Sequence, residues 1–156
     1  MATVYLETSF VSACVSRRKD APSAYRRQIS TEWWDTQRHK HDLFTSLEVI
    51  DELEDARHRQ KDAALKLIEG VPLLNIDEEV RGVAQILVND RVMPGPLSGD
   101  AIHVATAAMH HIEYIISWNV RHLANPNKMA HLRVVCRRIA LIAPQILTPD
   151  LLWENE

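Results

Sequence analysis

The chain has 156 residues, 46% hydrophobic and 25% charged, the size of one domain with material for one core. Eighteen basic against 21 acidic residues leave a formal charge of −3, which excludes a broadly basic nucleic-acid-binding surface and a disordered charged tail. Four glycines exclude collagen-like and glycine-rich classes, and no run of 18 apolar residues is present to span a bilayer. Because no positively charged segment precedes the first apolar one, a cytoplasmic location with no membrane partner is expected. Cys14 and Cys136 stand far apart and are expected to be buried, reduced thiols.

Residues 3–6 form a β-favouring run that ends on Glu7, Thr8 and Ser9. Tyr25, Ile29 and Trp33 then recur at helical spacing, with Trp34 about 100° further round, where an exposed indole would suit a homodimer or partner interface. Residues 42–46 read as a weaker second strand. Leu47, Ile50 and Leu53 make the apolar stripe of the next helix; Glu52 adjoins that stripe, and the remaining acids Glu48, Asp51, Glu54 and Asp55 are expected to face water. Residues 71–76 have strand length, and Val80, Val83, Ile86 and Leu87 have helical spacing. A punctuated loop over residues 89–99, with Pro94, Gly95, Pro96 and Gly99, feeds a helix beginning at Asp100 and carrying Ile102, Ala105, Thr106 and Met109. Residues 114–117 give a fourth strand. After Pro126, a helix with Met129, Leu132, Val135, Cys136 and Ile139 leads to a last short strand at Ile146 and Leu147.

Strands alternating with helices, over connections too long for hairpins, predict an α/β fold with a mostly parallel sheet covered on both faces, as a single domain over residues 1–156. Ligands of such sheets gather beyond the carboxyl ends of the strands, which selects Glu7 and Asn119. Asp100, just ahead of an apolar helix, reads either as an N-cap or as a site acid.

Taken in chain order, these are an acid after the first strand, an acid on the helix after the second, an acid in Asp100-Ala101-Ile102-His103 and an amide in Ser117-Trp118-Asn119. The set resembles the PIN-domain nucleases. Val4-Tyr5-Leu6-Glu7-Thr8-Ser9 is similar to that family's opening strand, which normally ends Asp-Thr-Ser, so Glu7 stands where the pattern has Asp. Thr45-Ser46 through Val49-Ile50-Asp51-Glu52-Leu53 resembles the segment with the second acid, and residues 94–103 the third. Ser117-Trp118-Asn119-Val120-Arg121-His122-Leu123 resembles the fourth, where many members carry Trp-Asn-x-x-His. The resemblance implies a three-layer α/β/α fold and a Mg²⁺ or Mn²⁺ ion held by Glu7, Glu52, Asp100 and Asn119. It further implies hydrolysis of phosphodiester bonds, most often in RNA, and for many small members the toxin role in a VapC-type toxin–antitoxin pair. That oxygen donor set suits a hard cation that keeps several waters.

Around these four, Ser9, Thr8 and Ser46 either bond to a carboxylate or metal-bound water or cap turns, and His103 either meets the site or packs in the core. Arg121, two residues past Asn119, belongs at the strand end; with Arg17, Arg18, Lys19, Arg26, Arg27, Arg57 and Arg59 it is expected to form a basic rim for RNA. Three readings compete. The first is a metal-dependent endoribonuclease, and the second a PIN-like binding module whose turnover is weakened by the extra methylene of Glu7. The third, a phosphotransferase with an aspartyl nucleophile, lacks the Asp it needs at position 7. Zinc is not expected, because no HExxH and no Cys/His finger spacing is present.

Overall fold

A computed structural model describes residues 1–55, 57–95 and 99–155; Pro96, part of the expected loop, lies outside them. Strands β1 (Ala2–Leu6), β2 (His41–Ser46), β3 (Leu73–Leu74), β4 (Tyr114–Ile116) and β5 (Gln145–Leu147) pair in parallel in the order β3-β2-β1-β4-β5. Helices α1 (Thr8–Val15) and α2 (Ala21–Gln37) join β1 to β2, and α3 (Leu47–Glu54) and α4 (Lys61–Leu67) join β2 to β3. From β3 the chain returns through α5 (Glu78–Asn89) and α6 (Asp100–Met109) to β4, and α7 (Pro126–Arg138) leads to β5. Right-handed crossovers running first one way along the sheet and then the other send the two sets of helices to opposite faces. The result is a three-layer α/β/α fold, in which α1 packs on α2, α3 and α4, while α5 packs on α6.

Covered on both faces, the central strands are apolar at consecutive positions: Val4, Tyr5, Leu6, Ile115 and Ile116 are fully buried. Helix α6 is buried from residue 101 to 108, its alanines allowing close approach to the sheet. Helix starts follow the capping rules: Asp20 accepts from Ser23 N–H, Asp77 from Val80 N–H and Asn125 from Asn127 N–H. Both cysteines are buried and free, and burial pushes the Cys14 thiol up to about 12. Among the described residues no helix is long and apolar enough to cross a membrane.

Several expectations shift. The third strand keeps two residues of the expected 71–76, because Val71 N–H closes a turn onto Ile68 and Pro72 offers only its carbonyl, which Thr45 N–H takes at 3.0 Å. Val49 and Leu53, with half-buried Ile50, carry the inner face of α3, and Leu47 is 56% exposed at its first position. Trp33 is interior, whereas Trp34 is half-buried beneath the Arg38 guanidinium, 5.0 Å from the ring centroid. Helices α1 and α4 carry no clear sequence stripe. In α1, Phe10, Val11, Ala13 and Cys14 are buried and the other four residues half-buried, and α4 is only seven residues long.

At the amino end of β2, His41 lies 5% exposed and stacked on Trp33, with ring centroids 5.8 Å apart and planes within 3°. Neither ring nitrogen has a hydrogen-bond partner among the described residues. Burial holds the imidazole below its usual value, reinforced by the chain amino terminus and Lys40 and opposed by Glu154 and Glu113. A folded pKa below the unfolded one contributes stability above the unfolded value, near 6.5, that is lost as pH falls through the folded value. His41→Phe is therefore expected to flatten the acid-side fall in stability below about pH 6.5, read by urea unfolding at pH 7.5 and 5.5; parallel pH profiles would refute the assignment.

Candidate functional site

The strand order reverses between β1 and β4, and at such a switch point the chains leaving the two carboxyl ends diverge and open a crevice. Glu7 follows β1, and Asn119 lies three residues beyond β4. A cleft of about 520 Å³ opens there, with Glu7, Glu52, Asp100, Asn119, Arg26 and Arg121 in its walls. All four residues assigned to the site by sequence thus meet in one place.

Glu7 is the N-cap of α1: its Oε2 accepts from Ser9 N–H at 2.6 Å and the side chain is 4% exposed. Burial raises its carboxyl, against the lowering influence of His103 and of the Ser9 bonds. Glu52, on α3, accepts at Oε1 from the Thr8 hydroxyl at 2.6 Å and meets His103 Nε2 at 2.5 Å. Burial works to raise this carboxyl too, but the His103 bond and charge, with the Thr8 bond, hold it below the ordinary value. His103 shows the complementary effect, since burial pulls it down and Glu52, Glu7 and Glu48 together carry it above its usual value.

Asp100 is not the N-cap of α6. Gly99 holds that position at φ +59 and ψ −120, a conformation natural to glycine, and its N–H donates to Glu48 Oε1 at 2.8 Å. Asp100 is freed from capping and faces Asn119, whose Nδ2 donates to both carboxylate oxygens at 3.2 and 3.3 Å. Its carboxyl is raised by burial first and by Glu52, against His103, His122 and the Asn119 bond. Asn119 is itself fixed, its Oδ1 accepting from His122 N–H and its own N–H donating to Ser117 Oγ.

Behind the carboxylates runs a buried polar chain. The Tyr5 hydroxyl lies 2.6 Å from Ser46 Oγ and 2.6 Å from His103 Nδ1, so Ser46, Tyr5, His103, Glu52 and Thr8 form one hydrogen-bonded line. His103 and Ser46 accordingly belong to the supporting layer of the site. Ser9 does as well, its Oγ accepting from Trp118 N–H at 2.8 Å. Tyr5 and Glu48 were not reached from sequence. A tyrosine inside a strand next to a candidate acid carries the signal, because its hydroxyl must find a partner when buried; Glu48 carried none that set it apart from its solvated neighbours.

Arg26 and Arg121 reach the cleft, and among the described residues neither is in a salt bridge. Arg17, Arg18, Arg57 and Arg59 instead line a separate cavity of about 740 Å³, where Arg18 pairs with Asp20 and Arg57 with Asp55. The smaller cleft holds the three carboxylates and the amide singled out by sequence. Among the described residues no three His, Cys, Asp or Glu side chains stand close enough to clasp an ion as they lie. The donor chemistry nonetheless fits a hard divalent cation: the carboxylates of Glu7, Glu52 and Asp100 and the amide of Asn119 line one cleft, and all four offer oxygen donors. No protein-family model and no curated protein matches the chain.

Proposed function

We propose that this protein is a divalent-metal-dependent endoribonuclease of the PIN-domain type, the toxin partner of an antitoxin protein. The observation that supports the reading is the convergence of Glu7, Glu52, Asp100 and Asn119 on one cleft at the sheet's switch point, lined also by two arginines that form no salt bridge among the described residues. When bound, Mg²⁺ or Mn²⁺ supplies Lewis acidity toward a phosphoryl oxygen and lowers the pKa of water. Glu7, Glu52 and Asp100 would hold the ion, directly or through water, and Asn119 orients Asp100 through its Nδ2. His103 and Thr8 fix Glu52, so that this carboxylate loses little freedom when substrate arrives. Arg26 and Arg121 meet the phosphates that flank the scissile one.

One observation favours a second reading, a PIN-like module that binds without turnover: the Glu7 carboxylate is spent in part on capping α1. Glu7→Asp separates the two. Aspartate is a better N-cap and withdraws the carboxylate by about 1.5 Å, so the cap survives and the acid moves toward the family's usual reach. Cleavage of mixed single-stranded and structured RNAs in Mg²⁺, Mn²⁺ and chelator is the test. We expect metal-dependent cleavage by the wild type, equal or faster cleavage by Glu7→Asp and none in chelator. Folded, antitoxin-free protein that stays silent in both forms and both metals overturns the nuclease reading in favour of the module.

A further inference from the structure

One exposed aromatic side chain packs against Trp118, a residue of the cleft wall. Tyr25, in the second turn of α2, is 52% exposed although helical spacing assigns it to the buried stripe. It is held edge-on against Trp118, with ring centroids 6.2 Å apart and planes at 70°. Trp118 is 8% exposed and pinned at both ends: its indole N–H donates to the buried Ser30 hydroxyl at 2.7 Å and its backbone N–H to Ser9 Oγ at 2.8 Å. The Arg26 guanidinium lies over the same indole, 5.5 Å from the ring centroid. Arg26 and Trp118 both line the acidic cleft.

We propose that Tyr25 is a nucleobase-stacking platform for the base beside the phosphate bound at the cleft. The proposal rests on the phosphodiesterase reading of the cleft for its location. The exposed ring is braced in a fixed orientation by a buried indole, so little freedom is lost when a base stacks on it. Such a ring accepts any base on its face, while a base still stacked in a duplex presents only its edge. Arg26 complements it, because its guanidinium is already oriented by the indole face and bears charge that no carboxylate neutralises among the described residues. The consecutive residues Tyr25 and Arg26 thus present an aromatic ring and a phosphate-seeking cation, both set against Trp118 in the cleft wall.

The test is binding, measured by fluorescence anisotropy in chelator so that the strand stays intact. Three probes serve: a single-stranded oligoribonucleotide of eight residues, its duplex, and a set of strands each lacking one base. Stacking is worth about 1–3 kcal/mol per base, so Tyr25→Ala is expected to weaken the single strand by about 5- to 150-fold, with Tyr25→Phe and Tyr25→Trp unchanged. Duplex affinity and the melting temperature should be the same for all four proteins. One abasic strand should bind wild type as weakly as Tyr25→Ala binds the intact strand, and on it the substitution should cost nothing more. Equal loss on intact, abasic and duplex probes overturns the proposal by showing a merely structural role. No loss on any nucleic acid also overturns it, and hands the exposed ring to a protein partner. Cleavage assays are read separately: base-dependent binding without cleavage in any metal sinks the nuclease reading alone, whereas cleavage with Tyr25-independent binding sinks this one alone.

Discussion

Asp100→Asn is expected to lower metal-dependent RNA cleavage by more than about a hundredfold, beyond the usual cost of losing an outer-shell partner, and at the same time to raise the thermal stability of the metal-free protein at neutral pH. Both effects come from the same carboxylate. Asp100 opens α6 without capping it, and burial raises its carboxyl above the ordinary value despite the Asn119 bond and the two histidines. A carboxyl raised in the folded state contributes stability fully below its unfolded pKa, near 3.9, and loses it as pH rises through the folded value. At pH 7 the charge therefore works against folding, and an amide of the same shape relieves it while still offering one oxygen to Asn119 Nδ2. The gain in melting temperature should vanish at pH 4 and below. Added Mg²⁺ should raise the melting point of the wild type and leave Asp100→Asn where it was, since a ligand stabilises only a fold that binds it. A variant that melts below the wild type in chelator at pH 7 would show that Asp100 is retained for packing, and the assignment of the acid to the site would fall.

The architecture was legible because its signals are local and repeated. Four strand-length runs and the helical spacings of Val80, Val83, Ile86 and Leu87, and of Met129, Leu132, Val135 and Cys136, all correspond to elements of the structure. Where spacing misled, the cause is tertiary. Tyr25 sits at a core-like position on α2 but lies over Trp118, which comes from the far side of the sheet's switch point and is invisible in the periodicity of α2. Glu52 stood out because it adjoins the apolar stripe, whereas Glu48, four residues before it, read as one of the solvated acids and is distinguished only by the approach of α6, whose Gly99 N–H donates to it. Asp100 as a cap was the rule-based expectation, and it yields because a glycine with positive φ precedes it, turning the chain so that the carboxylate faces β4 instead of its own helix. Tyr5, an ordinary strand residue by sequence, gains its partners from positions 41 and 98 residues away.

Tyr5→Phe, a change of one hydroxyl with no access to substrate, is expected to cost about 1–3 kcal/mol of stability and about 10- to 100-fold in cleavage, falling on kcat and sparing KM. Tyr5 is fully buried, so its effect must pass through His103. With imidazole neutral, the phenol donates to Nδ1, which leaves the ring proton on Nε2 facing Glu52, and Ser46 donates to the phenol. With imidazolium, Nδ1–H donates to the phenol, which turns to donate to Ser46 Oγ, and Glu52 keeps its donor. The hydroxyl chain thus satisfies every buried group in either charge state and holds the Nε2 proton on Glu52 in both. Phenylalanine removes the middle of that chain, leaves Nδ1 and Ser46 Oγ unpaired, and frees the ring to carry its one neutral proton on Nδ1, where Glu52 would meet an acceptor. Ser46→Ala removes only the far end and should cost less on both counts. The decisive comparison is a double-mutant cycle with Glu52→Gln: if Tyr5 acts by orienting Glu52, Tyr5→Phe adds nothing to the cleavage loss of Glu52→Gln. Losses that add in full would mean that the two side chains act independently, and that the line from Ser46 to Glu52 is a feature of the core alone.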